Sequence, residues 1–265
     1  MYFNESTYSG LATKFDKFRQ KIELTDNQRN KIKTSHKHLR ENILQPLDYV
    51  SHTFLTGSYK KKTLINPAND IDVFVVLKDY SQNRYDANYI TPHTILNKLK
   101  KDLKARYQNS EIKQDKPCII INFEHVTFEL TPAIEIENYW GGNSEFYIPQ
   151  MSKDNEWQKV ENPRILEKAL TKANQNLSNK LNPLIKMMKK CKVNNNIKTP
   201  SFEIEKMAID SLYSINGFRD GVQKLLRVYE WRNKTYNHDY IENMSDKDFA
   251  IFCRDILFGY DFPKD

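Results

Sequence analysis

Apolar residues recur at helical spacing in the first fifty residues. Leu11, Phe15, Phe18 and Ile22 follow one another at intervals of four, three and four residues, which places them on one face of a helix. Thr25 is a suitable N-cap for a further helical stretch, whose polar face is rich in lysine and arginine. The pattern predicts a helical N-terminal region and leaves open whether it is one bent helix or two.

The middle of the chain shows a different pattern. Three β-branched runs at 71–77, 118–123 and 126–130 predict strands, and the apolar spacing over 91–107 predicts a helix after the first of them. Strands that carry acidic residues and are interrupted by one helix are typical of an α/β or α+β catalytic core.

Helical spacing returns from Pro163 onward, with a polar loop near 194–200. We predict further helices over 202–213, 217–232 and 245–258. We therefore expect three regions, of which the two larger ones pack as lobes around a cleft. These regions are N-terminal helices over 1–50 that pack across both lobes, a catalytic core over 51–160 and a helical lobe over 161–265.

Composition narrows the class of protein. Hydrophobic residues are 39% and aromatic residues 12% of the chain, which suits a globular protein, and no stretch approaches the ~18 apolar residues of a membrane span. Three well-separated cysteines and an amino terminus without signal-peptide blocks lead us to expect a cytoplasmic protein. The net charge of +7 favours anionic partners such as nucleotides or nucleic acid, although a solvated lysine-rich surface gives the same excess.

The candidate chemistry begins with an Asp-x-Asp in the first predicted strand. Side chains alternate along a strand, so Asp70 and Asp72 project from one face while Ile71 and Val73 point into the core. Two carboxylates this close repel each other unless a cation lies between them, and their oxygen atoms suit Mg²⁺ or Mn²⁺. A solvated sheet edge would also explain the pair, but the flanking residues are too apolar for such an edge.

A third carboxylate is expected from a neighbouring strand. Glu129 shares a strand face with Thr127 and Thr131, which makes it the first candidate, with a surface glutamate as the alternative interpretation. Glu124 is less suitable because it precedes His125, where we expect a turn.

A Gly-Ser pair precedes these acids. Gly57 leaves room for backbone N–H groups to approach an oxyanion, and Ser58 adds a hydroxyl donor. The pair alone is a weak signal, but aspartates 12 and 14 residues after Ser58 on an apolar strand make it a strong one. The combination indicates phosphate binding next to a metal site.

These motifs resemble a known family. Gly57-Ser58, Asp70-x-Asp72 and the segment 128–135 are similar to the polymerase-β-type nucleotidyltransferase core, and within it to the cGAS/DncV-like nucleotidyltransferases of bacterial antiviral CBASS systems. The helix at 184–192 and the Ser-Phe-x-x-Glu start at 201–205 resemble further parts of that family. The resemblance implies an α+β fold: a mixed sheet flanked by helices, a long N-terminal helix and a helical C-terminal lobe, bilobed with an active-site cleft.

The resemblance also implies metal-assisted nucleotidyl transfer. Asp70, Asp72 and Glu129 would hold two Mg²⁺ ions, with Mn²⁺ as a substitute, and Glu129 would lie nearest the attacking ribose hydroxyl. The residues implied for binding the nucleotide phosphates are Gly57, Ser58, Lys189 and Ser201. The expected substrates are nucleoside triphosphates, ATP among them, and the expected product is a cyclic di- or trinucleotide to which a downstream effector responds. A monomer without membrane contact is expected.

Two departures from the family pattern concern residues 129 and 191. Glu129 stands where the family more often has aspartate, so we expect the metal geometry there to differ from that of the family. Cys191 stands where many members carry tryptophan, a difference that concerns packing.

Basic residues of two predicted helices are candidates for binding an activating RNA through its phosphates. They are Lys31, Lys37, Arg40, Lys98, Lys100, Lys101, Lys104 and Arg106. Solvated helix faces would have the same composition.

Several functions remain open on the sequence alone. One is a linear 2′–5′ oligonucleotide synthase or an enzyme that adds nucleotides to an RNA end. Another is an RNA-binding sensor whose nucleotidyltransferase core is inactive, with Glu129 as the residue in doubt. A third is a nucleotidylating toxin or antitoxin, although such cores are usually smaller.

Overall fold

Strands and helices separate along the chain into two units. The computed structural model describes residues 5–108, 110–115, 117–138, 142–150, 155–228 and 238–264. The sheet unit consists of Thr25–Lys61 and Ala68–Ile165. The helical unit consists of Met1–Leu24, Lys62–Pro67 and Leu166–Asp265. The boundaries that we predicted at residues 50 and 160 differ from this division, because the first predicted helix belongs to the helical unit and the next one to the sheet unit.

The sheet unit contains a seven-stranded mixed sheet within the described part of the chain. The strands are β1 (Val50–Leu55), β2 (Asp70–Leu77), β3 (Ile112–Asp115), β4 (Cys118–Phe123), β5 (Val126–Ile136), β6 (Glu145–Pro149) and β7 (Trp157–Val160). Five of them lie in the order β1-β2-β5-β4-β3, with β6 paired to β5 and β7 paired to β6. The β2–β5 pair is parallel, whereas the other pairs are antiparallel.

Helices account for most of the remaining described residues. They are α1 (Glu5–Ile22), α2 (Asp26–His38), α3 (Gly57–Lys60), α4 (Pro92–Arg106), α5 (Pro163–Asn176), α6 (Leu181–Asn194), α7 (Ser201–Ser211), α8 (Phe218–Val228), α9 (His238–Glu242) and α10 (Asp246–Phe252). The π-helical segments Leu39–Leu44 and Cys253–Phe258 continue α2 and α10. None of the described helices is long and apolar enough to cross a lipid bilayer.

The two faces of the central strands differ in burial. Ile71, Val73 and Phe128 are fully buried, whereas the alternate positions Asp72 and Glu129 are partly exposed. On the buried side the His36 ring of α2 lies 6.3 Å from the Phe128 ring. The sheet therefore has one face covered by helices and one face that carries the acidic side chains, as period-two alternation predicts.

The core of the helical unit forms around the apolar stripe of α1. Phe15 and Phe18 are at most 1% exposed, and the Phe262 ring lies 5.2 Å from Phe15 and 5.5 Å from Phe18. The C-terminal end of the chain thus packs against its first helix. Gly259, at φ 67, ends the π-helical segment.

Most predicted elements are present with shifted ends. Two helices, rather than one bent helix, form the N-terminal region, and a capping box between Thr25 and Gln28 starts the second. The helix predicted over 217–232 is observed over Phe218–Val228, and residues 229–232 lie outside the described residues. The predicted α+β class is confirmed. Strands β1, β3, β6 and β7 were not predicted.

Candidate active site

Three carboxylates share the exposed face of two adjacent strands. In the parallel pairing of β2 with β5, Asp72 lies opposite Glu129 and Asp70 lies opposite Thr127. Because side chains alternate along a strand, Asp70, Asp72 and Glu129 project from the same face. The structure therefore places on one face of the sheet the three acids that the sequence singled out, although Glu129 is 57 positions from Asp72 and 59 from Asp70 along the chain.

The surroundings of this face make it unfavourable for all three carboxyl groups to be ionised at once. Burial, followed by the charges of Asp72 and Asp70, raises the pKa of the Glu129 carboxyl from 4.5 to about 7. Burial also raises the pKa of Asp70. An adjacent cation would remove this repulsion, so the group as a whole favours a bound metal ion.

The donor set fits a hard divalent cation. Its ligands are carboxylate oxygens, which Mg²⁺ and Mn²⁺ prefer. Within the described ranges, no three acidic, histidine or cysteine side chains converge as a ready-made metal cage. Mg²⁺ is usually held by one or two carboxylates together with substrate phosphates rather than by a closed protein cage. The residues present therefore fit a metal site that the substrate completes.

The Gly-Ser segment lies directly against Asp72. The Thr56 backbone N–H donates to the Asp72 carbonyl oxygen at 2.9 Å, and the short helix α3 begins at Gly57. Gly57 has φ +63, and a Cβ on it would lie 1.6 Å from Asp72 Oδ2. The glycine therefore serves two purposes, since it permits the left-handed backbone and leaves space for a candidate metal ligand.

Replacing this glycine tests the contact. We expect Gly57→Ala to lower any nucleotidyl-transfer rate at least about a hundred-fold, because the new Cβ displaces the Asp72 carboxylate or the loop that carries Ser58. Gly217→Ala is the matched control: Gly217 also has positive φ, at +108, but nothing lies within 4 Å of a Cβ there. Both variants should lose stability through backbone strain, and only Gly57→Ala should lose turnover in a steady-state rate measurement. Equal turnover losses would show that strain alone matters.

The comparison with protein families identifies this arrangement. Residues 10–174 match the family described as Second Messenger Oligonucleotide or Dinucleotide Synthetase domain. The match covers well over half of the 265 residues and includes Gly57 and all three carboxylates. The chain belongs to this family.

A curated relative agrees with this assignment. A probable cyclic nucleotide synthase of Bacillus cereus (strain VD146) is 24% identical over 212 residues, which cover 69% of this chain and 63% of the relative. The aligned region thus spans less than two thirds of the relative's length.

The solved structures share the fold. The Vibrio cholerae DncV cyclic AMP-GMP synthase has a TM-score of 0.63 and 12% identity, over 92% of this chain and 94% of that one. The Escherichia coli MS115-1 CdnC structure with ATP has a TM-score of 0.63 and 15% identity, over 82% and 70%. The family comparison and these folds together confirm the predicted resemblance to cGAS/DncV-like nucleotidyltransferases.

Lys189 and Ser201, which the family resemblance implies for phosphate binding, lie in the helical unit, on α6 and α7. Lys189 is 5% exposed, and its Nζ lies 2.6 Å from Glu205 Oε1 and 2.9 Å from Thr63 Oγ1. Ser201 is the partly exposed first residue of α7, and Lys192 Nζ lies 3.4 Å from its Oγ. The buried carboxylate beside Lys189 is a feature that the sequence did not predict. The phosphate roles of Lys189 and Ser201 stay predictions.

Aromatic rings adjoin the acidic face of this synthetase-family sheet. Phe74 lies two residues beyond Asp72 on the same face, and its ring is 5.4 Å from Phe54 and 6.0 Å from Phe146. Phe54 and Phe74 are partly exposed, and the Arg164 guanidinium lies 4.4 Å from the centre of the Phe54 ring. Sequence reasoning missed the group because β1, which carries Phe54, was not predicted; the alternation from Asp72 could have indicated Phe74.

A separate exposed ring belongs to the helical unit. Phe202 is 54% exposed and directly follows Ser201 at the start of α7. Exposed aromatic rings offer a surface on which nucleobases stack. In the sequence, the Ser-Phe pair at 201–202 is the signal that could have indicated this ring.

The basic residues predicted to contact RNA lie on the covered side of the sheet. Arg106 Nη1 donates to the Asn42 carbonyl oxygen at 2.8 Å, which joins the end of α4 to the π-helical segment after α2. Lys98 lies 3.5 Å from Asp48, and Arg40 pairs with Glu41. The other candidates, Lys31, Lys37, Lys100, Lys101 and Lys104, are exposed or partly exposed. The structure thus groups the two basic helices on the side opposite the carboxylates.

Proposed function

We propose that this chain is a divalent-metal-dependent nucleotidyltransferase that joins nucleoside triphosphates into a cyclic di- or trinucleotide second messenger. The observation that carries the proposal is the pairing of Asp72 with Glu129 on parallel strands, with Asp70 on the same face, inside the segment that matches the synthetase family. The Bacillus cereus and Vibrio cholerae relatives, described as cyclic nucleotide synthases, support the product class. The structures with ATP and GTP support triphosphate substrates.

The proposed reaction is an in-line displacement at a phosphorus atom. A ribose hydroxyl of one nucleotide attacks the α-phosphorus of another, and the bond to the bridging α–β oxygen breaks. Pyrophosphate leaves, and the proton of the attacking hydroxyl passes to solvent water. Asp70, Asp72 and Glu129 orient the reacting groups, with Glu129 nearest the hydroxyl. Bound Mg²⁺ would lower the pKa of that hydroxyl and stabilise charge on the attacking and leaving oxygens. Further transfers of the same kind close the ring, the second in a cyclic dinucleotide and the third in a cyclic trinucleotide.

The proposed phosphate contacts come from hydrogen-bond donors in two parts of the sequence, the Gly57-Ser58 pair and the helices that carry Lys189 and Ser201. The Ser58 hydroxyl and the Gly57 N–H donate to the β- and γ-phosphates, and Gly57 keeps this segment against Asp72. Lys189 supplies a positive charge and Ser201 a hydroxyl donor for nucleotide phosphates. The exposed Phe202 ring supplies a surface for a nucleobase.

The basic side chains of α2 and α4 favour a second proposal, that RNA activates the enzyme. Residues such as Lys31, Lys101 and Lys104 are exposed, and RNA phosphates bind such lysines with release of counterions. Activation should therefore weaken steeply as salt rises. A role in CBASS antiviral defence, with an effector that detects the product, completes the proposed function.

Product analysis tests the proposal directly. We expect purified protein with radiolabelled NTPs and Mg²⁺ or Mn²⁺ to yield a phosphatase-resistant product whose mass shows no free ends, and excess EDTA to abolish its formation. Linear products would favour an oligoadenylate-type synthase or RNA-end transferase instead. No product with any metal, with or without added RNA, would favour a binding protein with an inactive core. Parallel reactions over a salt series with and without RNA test the activation proposal.

A further inference from the structure

Beyond the three carboxylates, the acidic face of the sheet carries a cluster of three phenylalanine rings. Phe54 lies opposite Phe74 in the pairing of β1 with β2, and their ring centres are 5.4 Å apart. The centre of the Phe146 ring on β6 lies 5.7 Å from that of Phe54 and 6.0 Å from that of Phe74. Phe146 is fully buried, whereas Phe54 and Phe74 are partly exposed. The cluster therefore consists of one inner ring and two rings that solvent reaches.

The phenylalanine cluster lies next to the acids. Phe74 is two residues beyond Asp72 on the same strand face, which corresponds to about 7 Å along the strand. In a nucleotide the ribose separates the α-phosphate from the base, so a base lies a short distance from a phosphate bound at the acids. The acids and the cluster all belong to the sheet unit, so this spacing depends on that unit alone.

An arginine at the start of α5 packs on the same cluster. The Arg164 guanidinium lies 4.4 Å from the centre of the Phe54 ring and 5.2 Å from that of the Phe146 ring. A planar guanidinium stacks favourably on aromatic faces, which keeps the group in place. The Arg164 side chain is nevertheless 36% exposed. The structure therefore places a partly exposed planar cation beside the rings.

Hydrogen bonds fix both the backbone and the side chain of Arg164. The Asn162 side chain accepts from the Arg164 N–H and donates to the Ser144 carbonyl oxygen, both at 3.0 Å. Arg164 Nη1 donates to one Glu135 oxygen at 2.7 Å, and the other oxygen lies 3.3 Å from His52 Nε2. In the described part of the chain, the guanidinium makes its hydrogen bonds through Nη1 alone. The donors on Nε and Nη2 therefore remain for a ligand.

We infer that Phe74 and Arg164 form a nucleobase subsite that prefers guanine, so that GTP is one of the substrates, and that Glu135 positions Arg164. The inference rests on the proposed function, because the acids have to bind the phosphates of the same nucleotide. Arginine has donors and no acceptor, and guanine presents two adjacent acceptors, O6 and N7, that match its fork. Adenine has an amino donor where guanine has O6, so it leaves a donor facing the guanidinium. The Phe74 ring stacks on either base.

Three probes in the presence of Mg²⁺ test the subsite in the wild-type protein. They are non-hydrolysable analogues of GTP and of ATP, and inorganic tripolyphosphate, which has no base. We expect the GTP analogue to bind about ten-fold more tightly than the ATP analogue, as a bidentate arginine contact implies, and tripolyphosphate to bind least tightly. If the wild type binds none of the three probes, the proposed function fails and the inference fails with it. If it binds them without preferring the GTP analogue, only the inference is wrong.

Two substitutions test the guanine contact. Arg164→Lys keeps the positive charge but removes the planar fork, so we expect at least about a five-fold loss of affinity for the GTP analogue. Affinities for the ATP analogue and for tripolyphosphate should stay at the wild-type values. Glu135→Gln should lower the preference for the GTP analogue about three-fold, because Arg164 loses its charged partner. Unchanged preference in both variants, or an equal loss of affinity for all three probes, would overturn the inference.

Phe74→Leu tests the stacking surface. Leucine keeps an apolar side chain at this position but removes the ring. We expect about a five-fold loss of affinity for both nucleotide analogues and none for tripolyphosphate, because only the analogues carry a base. If the analogues bind Phe74→Leu as tightly as they bind the wild type, Phe74 is not part of a base subsite.

Arg219→Lys is the matched control, because Arg219 makes the same kind of contact in the helical unit. Its guanidinium lies 4.9 Å from the centre of the Phe249 ring and pairs with Asp246. The substitution should lower the melting temperature and leave the preference for the GTP analogue unchanged. If Arg219→Lys and Arg164→Lys reduce that preference equally, the loss does not come from a base contact and the inference is wrong.

Discussion

Asp72→Asn should reduce product formation at least about a thousand-fold while leaving the fold intact. Asparagine keeps the shape of the side chain and one oxygen but removes the negative charge that a divalent cation requires. Removal of a single neutral donor from an active site commonly costs a factor of about a hundred to a thousand, and a charged ligand should cost at least as much. The melting temperature should not fall, because the substitution removes one of the like charges that face Glu129.

Asp79→Asn provides the control for this variant. Asp79 is an exposed residue just beyond the end of β2 and has φ 57, a conformation that asparagine adopts readily. The Asp79→Asn substitution changes the net charge by the same amount as Asp72→Asn but leaves the three carboxylates of the acidic face in place. Steady-state product formation at saturating Mg²⁺ and NTP should be normal for Asp79→Asn. A rate above about a tenth of wild type for Asp72→Asn would remove the main support for the proposed metal site.

The parts of the fold that were predictable are those specified by neighbouring residues. The apolar stripe from Leu11 to Ile22 predicts α1 and its buried face, and Thr25 as an N-cap predicts the start of α2. In β2 the alternation of Asp70 and Asp72 with apolar residues was sufficient to predict both the strand and its exposed face. Each of these signals acts over a few positions, where periodicity and capping determine the local structure.

The unpredicted parts depend on contacts between distant residues. The close approach of Gly57 to the Asp72 carboxylate depends on how α3 packs on β2, and no local signal marks it. The contacts of the Lys189 ammonium with Glu205 and with Thr63, which lies 126 positions away, also join residues that no local signal connects. Strand β1 was missed because four of its six residues are partly exposed, so its alternation is weak.

The candidate site could be predicted further than the surrounding fold because its chemistry restricts residue types. A paired carboxylate motif needs one more acid from an adjacent strand, and alternation left few candidates besides Glu129. The pairing that makes Glu129 adjacent to Asp72 required the structure, since a shift of one residue would turn it to the covered face. Nucleobase recognition does not restrict residue types in this way. Any ring that solvent reaches, such as that of Phe74 or Phe202, offers a surface on which a base can stack.

Glu129→Gln should abolish turnover and, in the absence of metal, make the protein more stable above neutral pH. The folded protein raises the pKa of this carboxyl from 4.5 to about 7, so the folded state binds the proton more tightly than the unfolded chain does. The stability contributed by this group is therefore fully present below pH 4.5 and is lost as the pH rises through about 7. Glutamine is never ionised and escapes that loss.

The size of the stability effect can be estimated from the shift. Each pKa unit corresponds to about 1.4 kcal/mol for one group, and solvent screening at this half-buried position reduces the total loss to about 1–2 kcal/mol. In a chain of this length that corresponds to a difference of roughly 2–6 °C in melting temperature. We expect Glu129→Gln to melt above wild type by this amount at pH 8 in EDTA, and the two proteins to melt together near pH 4.5.

Glu124→Gln separates the role of residue 129 from a general effect of removing an acid. Glu124 is exposed in the turn between β4 and β5 and was the alternative third ligand. The Glu124→Gln variant should have a normal turnover rate, and its melting temperature at pH 8 should equal that of the wild type. Added Mg²⁺ should raise the melting temperature of wild type and Glu124→Gln at pH 8 more than that of Glu129→Gln, because only the first two retain all three carboxylates. If turnover instead depends on Glu124 and not on Glu129, the third ligand comes from the turn, and the strand pairing of Asp72 with Glu129 is structural.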